Sequence, residues 1–308
     1  MARHNIIFGR DQAVQQGARY GDASHDAPQQ GSPHYGGPQQ TQWASDFTPQ
    51  QTGRTQNGYD NLEAMYARPS ATGHDTGRMT MRDALNAISV TLGIIVVTGF
   101  AVGLLPLVLS LVGGPTGMQI GLVIAMGASI IGVIGGLITG LINGFKKKPS
   151  AIAVIAYAVF EGLLLGGISS VFEYTAYPGI ALQAVVATFM VAGVILLLTN
   201  LGILRTSPLL TKVFSFAILA YLGFVLFNIV YLLITGNDLR SGLFGLIIGG
   251  LAVVMASYSL TSDIEQVRDA AQGGVPRVYA WRCAFGVAAT LVWMYIEILR
   301  IIAIFRDN

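Results

Sequence analysis

The sequence predicts an all-α polytopic membrane protein with seven transmembrane helices. Three observations carry this. The 308 residues are 53% apolar and only 11% charged, with a mean hydropathy of +0.59, whereas soluble domains carry about 25% charged residues. No charged residue lies between Ala84 and Phe145. Beyond that point the chain continues in apolar runs of about the 20 residues that a helix needs to cross hydrocarbon. These runs are too long and continuous for barrel strands, whose alternate positions face a polar lumen.

The spans read as Leu85–Val112, Met118–Phe145, Ala151–Phe172, Gly179–Gly202, Val213–Thr235, Ser241–Ser262 and Cys283–Phe305. Turn chemistry separates them: GGPTG (Gly113–Gly117), KKKPS (Lys146–Ser150), EYTAYPG (Glu173–Gly179), RTSPLLTK (Arg205–Lys212) and TGNDLR (Thr235–Arg240). The break from Asp263 to Arg282 is longer and polar. GGPTG is uncharged, but its Gly-Gly-Pro core favours a tight turn over one helix more than sixty residues long.

The domain organisation is a tail, residues 1–75, followed by a seven-helix membrane domain, residues 80–308. Eleven glutamines, five prolines and all four histidines fall in the first 83 residues. Such a composition buries too little apolar surface to offset chain entropy, so a disordered Gln/Gly/Pro-rich cytoplasmic tail is expected. Tyr20, Tyr35 and Tyr59 give it aromatic positions for a protein partner. Its start, MARHNIIFGRDQ, lacks the apolar core of a signal peptide.

Orientation follows from Lys and Arg near the spans. With the N-terminus in the cytoplasm, eleven basic residues flank the cytoplasmic side: Arg68, Arg78, Arg82, Lys146, Lys147, Lys148, Arg205, Lys212, Arg268, Arg277 and Arg282. Three flank the other side: Arg240, Arg300 and Arg306. This predicts a multi-pass inner (plasma) membrane protein with a cytoplasmic N-terminus and an outside C-terminus. A re-entrant last segment remains open at this point.

Small residues at spacing four predict close helix packing. Gly132, Gly136, Gly140 and Gly144 form a ridge on span two. Gly162, Gly166 and Ser170 repeat it on span three, Ser241, Gly245 and Gly249 on span six, and Ala280, Ala284 and Ala288 on span seven.

Much chemistry is excluded. No histidine follows His74, so an intramembrane Ser–His hydrolase, an HExxH metalloprotease and a haem-binding bundle are ruled out. No phosphate-binding GxxxxGK[ST] loop is present. The single cysteine, Cys283, permits no internal disulfide or cysteine metal cage. The net charge of +2 suits no nucleic-acid partner. The chain is expected not to be an enzyme and to carry no cofactor.

Acids inside spans are the informative residues, because they usually face a bundle interior or water cavity. Glu161 sits in span three, roughly 20 Å along the helix from Lys148, and Glu297 in span seven, roughly 22 Å from Arg282. Arg300, one turn beyond Glu297, is a candidate charge partner. Asp263 closes span six. Asn143, Asn200 and Asn228 are neutral oxygen donors for a hard cation. Two carboxylates in a low-dielectric site do not both ionise cheaply and titrate as a unit.

FEGLLLGGISSVFE (Phe160–Glu173), SLTSDIE (Ser259–Glu265) and TLVWMYIEILRII (Thr290–Ile302) resemble the Bax inhibitor-1, or transmembrane Bax-inhibitor-motif, family in a bacterial form. The resemblance spans residues 80–308, and its last motif is the most specific. It implies six helices around a central C-terminal seventh. It also implies a pH-sensitive calcium leak whose sensor acids match Asp263 and Glu297, with Ca²⁺ as transported ion and as the metal these two would hold. Three departures stand out. The helix-seven acid is Glu where Asp is usual, span two has no latching arginine, and 34 residues separate Asp263 from Glu297. With a turn at GGVP (Gly273–Pro276), the residue level with Asp263 is near 286, and Glu297 lies roughly 16 Å deeper. Glu297 then pairs with Asp263 through an irregular connection, or with Glu161 or Arg300. A proton-coupled secondary transporter using Glu161 and Glu297, and a non-conducting scaffold, are the alternative functions.

Overall fold

A computed structural model describes residues 77–307; the tail expected over residues 1–75 lies outside them. The described residues form α1 (Met81–Gly103), α2 (Leu105–Phe145), α3 (Ala151–Val171), α4 (Ile180–Asn200), α5 (Pro208–Thr235), α6 (Gly242–Gln272) and α7 (Tyr279–Asp307), with one π turn, Phe172–Ala176, after α3. Six helical stretches among them are long and apolar enough to cross a membrane. The first, Met81–Phe145, folds back on itself at the expected GGPTG turn, so the apolar helices number six or seven as its two limbs are taken together or apart. Gly114 takes φ +56° and reverses the chain. The limbs then touch backbone to backbone: a Cβ on Gly117 would lie 2.0 Å from the Leu109 carbonyl oxygen, and one on Gly121 would lie 2.5 Å from Pro106 Cα.

Local chemistry sets the boundaries. A reciprocal cap starts α1: the Thr80 hydroxyl accepts from Asp83 N–H, and the Asp83 carboxylate accepts from Thr80 N–H. Pro106, at the first turn of α2, marks the joint at Leu104. Ser207 caps α5, with Pro208 at its first position, so α5 begins five residues before the expected Val213. The long polar break expected over Asp263–Arg282 is largely helical. α6 runs on to Gln272 and α7 starts at Tyr279, because Val267, Ala270 and Tyr279 are buried and extend the apolar contact past the polar residues between them.

Helix α7 is the central one. In its most apolar stretch 61% of residues are buried, against 6% for α5, and it packs on α1, α3, α4 and α6. The small-residue positions lie at helix contacts. A Cβ on Gly132 would meet Leu164 N at 2.5 Å, and one on Gly166 the Gly99 carbonyl at 2.4 Å, joining α2 and α1 to α3. Gly249 meets Ile301 of α7. Gly144, at the end of its ridge, has nothing within 4 Å. Only Asn228 of α5 is buried.

The loops divide cleanly between two ends. At the basic end Met79 N–H donates to the Val275 carbonyl at 2.7 Å and Arg277 N–H to Gly77 at 3.0 Å, while Arg277 pairs with Asp83 at 2.8 Å. Arg282 there donates to the Lys146 carbonyl at 3.0 Å. At the opposite end Arg306 donates to the Pro178 carbonyl at 3.1 Å and to Gln183 Oε1 at 3.0 Å. Helix α7 therefore runs unbroken from the basic end of the bundle to the opposite end.

Candidate functional site

Glu297 is buried to 2% exposure on α7. Its Oε2 accepts from Arg240 Nη2 at 2.5 Å, and its Oε1 accepts from the Tyr221 hydroxyl. Arg240 Nη2 also donates to the Tyr221 oxygen at 2.6 Å, so acid, base and phenol form a closed triangle. Three elements supply it: α5, the α5–α6 loop and α7. Trp293, one turn before Glu297, packs on the Tyr221 ring with centroids 5.4 Å apart.

The loop itself is held inward. Asn228 donates its amide to Asp238 Oδ1 at 2.9 Å and accepts from Leu239 N–H at 3.0 Å, while Arg240 N–H donates to Asp238 at 2.8 Å. Burial pushes the Asp238 carboxyl up. The Arg240 N–H, the Asn228 amide and the charges of Arg300 and Arg240 outweigh it and hold the group below the usual carboxylate range. Arg300 is not the ion-pair partner of Glu297. It lies within electrostatic range of Arg240, Glu297 and Asp238, and its Nη1 has no hydrogen-bond partner.

Asp263 occupies a different place. It is partly buried between α6 and α7, and its Oδ2 accepts from the Thr290 hydroxyl at 2.7 Å. A Cβ on Gly286 would lie 3.2 Å from its Oδ1, which is the level that the sequence arithmetic gives. Glu297 follows Thr290 by seven residues, roughly 10 Å along the helix. Asp263 borders a cavity of about 20 Å³ lined also by Asn143, Gln266, Arg282 and Cys283, room for about one water. Both amide hydrogens of Asn143 are engaged, by the Thr139 and Ala153 carbonyls at 2.9 Å each, and the Gln266 amide donates to Ser262 at 3.1 Å. The side-chain oxygen of Asn143 is thus its available polar atom, while Gln266 keeps its oxygen and one amide hydrogen.

Glu161 forms a third, separate position. It is buried at the α2–α3 contact, with Oε1 3.0 Å from where a Gly136 Cβ would stand and Oε2 without a hydrogen-bond partner. The structure therefore does not join Glu297 to Asp263, Glu161 or Arg300, the three partners the sequence leaves open; the partner is Arg240. Asp263 and Glu297 do not share a metal position, and among the described residues no cluster of three or more His, Cys, Asp or Glu is placed to hold a metal ion. Arg240, Tyr221 and Asp238 are the residues that sequence reasoning missed. The available signal was that Arg240 is one of only three basic residues at the end towards which Glu297 lies.

Residues 14–307 match the family model described as Bax inhibitor 1 like, a match that also takes in most of the Gln-rich segment. No curated protein and no solved structure matches the chain. With the match covering nearly its whole length, the chain belongs to the Bax inhibitor 1-like family.

Proposed function

We propose that the protein is a passive cation leak whose conductance follows pH, with calcium the ion passed. In this reading it lies in the inner (plasma) membrane with the basic end cytoplasmic, and needs no catalytic residue and no cofactor. The observation that carries the reading is Asp263: an acid at the α6–α7 contact, tied to the central helix by one hydroxyl and bordering a cavity with room for about one water. Protonated, Asp263 sits at the α6–α7 contact without charge, while its Oδ2 accepts from the Thr290 hydroxyl. Ionised, it draws water or a hard cation to its oxygen and those of Asn143 and Gln266. The Glu297–Arg240–Tyr221 triangle closes the other half of the bundle, and conduction requires that it part. Separation of Glu161 from Glu297 leaves a two-acid proton relay, and with it the coupled-transporter alternative, less supported.

Calcium flux into proteoliposomes at two pH values is the test. Wild type is expected to conduct at a pH-dependent rate, and Asp263→Asn to flatten that dependence. Absence of flux at both values would leave the scaffold alternative. Labelling of Lys147→Cys in a Cys283→Ser background reads orientation; reagent reaching position 147 from outside intact cells would reverse it.

A further inference from the structure

The basic end carries a groove that the leak reading does not use. It lies between the first turns of α1 and the start of α7 and has a volume of about 140 Å³. Its floor is apolar, formed by Ala87, Val90, Ala280 and Trp281. Its mouth is charged. Arg277 contacts Asp83 through Nε, yet its side chain stays 47% exposed while that of Asp83 is 8% exposed. Asp83 is already committed: Oδ2 accepts from the Thr80 N–H and hydroxyl, and Oδ1 faces Arg277. Arg78 and Arg82 are exposed within five residues of Asp83. Of the three arginines, only Arg277 lines the groove; Arg78 and Arg82 add positive charge to the same end of the bundle.

The groove also grades from polar to apolar with depth. Asp83, Asn86 and Val90 lie on successive turns of α1, so it descends roughly 10 Å from the charged mouth. Val90, at its lower end, is 48% exposed. A site that is cationic at the membrane boundary and apolar one to two turns below matches an amphiphile of opposite sign. Basic pockets between membrane helices bind anionic lipid headgroups, and tryptophan favours the headgroup level.

We propose that this groove binds an anionic phospholipid, its headgroup phosphate on Arg277 and one acyl chain along Val90, Ala87 and Trp281. A free phosphate would meet the same exposed guanidinium but would leave the apolar floor uncovered. The chain supplies the burial that makes the site selective for lipid.

The test is native mass spectrometry of the full-length protein, released from detergent after addition of phosphatidylglycerol or phosphatidylcholine. Wild type is expected to retain phosphatidylglycerol in preference to phosphatidylcholine. Arg277→Gln should lower that retention about tenfold, the value of one charge-assisted hydrogen bond. Val90→Trp, at a half-exposed position, should fill the floor and displace the lipid with Arg277 intact. Inorganic phosphate should not compete. Equal retention of the two lipids, unchanged phosphatidylglycerol retention in both variants, or displacement by inorganic phosphate would each overturn the proposal.

Discussion

Arg240 and Glu297, 57 residues apart in sequence, meet in an ion pair in which each side chain is only 3% exposed. A loop arginine thereby reaches the central helix of the bundle. Removing one member of such a pair strands the other charge. Arg240→Met is expected to destabilise the protein by about 3–5 kcal/mol, and Arg240→Met combined with Glu297→Leu to recover most of that loss. Thermal unfolding in detergent measures both; a double variant no more stable than Arg240→Met would show that the pair does more than satisfy its own charges.

Separation of Asp263 on α6 from Glu297 on α7 makes a second prediction. Asp263 answers to Thr290 and Glu297 to Arg240 and Tyr221, with no shared partner. The effects of Asp263→Asn and Glu297→Gln on stability should therefore add to within about 0.5 kcal/mol. A large coupling energy in the double-mutant cycle would mean that the two sites communicate through α7.

The glycine ridge on α2 is uneven, and substitutions should reveal it. Gly132→Ala places a methyl group 2.5 Å from the Leu164 nitrogen and is expected to cost about 1–3 kcal/mol through overpacking. Gly144→Ala meets open space and should stay within about 0.5 kcal/mol of wild type. Thermal denaturation of the two single variants side by side decides it.

Asp238 gives a pH signature distinct from that of the leak. Its folded carboxyl sits below the ordinary value, so its contribution to stability is present above the unfolded value of about 3.9 and is lost as pH falls through the folded one. Asp238→Asn should be less thermostable than wild type at pH 7, and the gap should close only in strongly acid solution. A gap that closes between pH 6 and 8 would contradict the assigned hydrogen bonds.

Hydropathy and turn residues made most of the fold legible, because the bilayer demands long apolar helices and the breaks between them must be short. Even the level of Asp263 against residue 286 followed from counting helical rises. The Glu297 partner did not. TGNDLR reads as an exposed connection, and counting basic residues for orientation assigns Arg240 to water. What turns that loop inward is Asn228, an amide on an otherwise lipid-facing helix, whose bonds to Asp238 and Leu239 leave no mark in apolar periodicity. The extension of α6 was hidden for a related reason: its last turns are polar in composition but bury Val267 and Ala270.

The reversal at Gly114 has a consequence for biogenesis. Between Ala84 and Phe145 the nascent chain presents no charged residue to either side of the bilayer. The turn therefore holds no anchoring signal of its own, and the two limbs, in backbone contact around Gly117 and Gly121, are expected to insert together as a helical hairpin. Its polarity is decided at its base, where Arg82 precedes the first limb and Lys146, Lys147 and Lys148 follow the second. Those charges must act as a retention signal for both limbs at once, so neutralising the lysine run would loosen the orientation of the first crossing as much as that of the second.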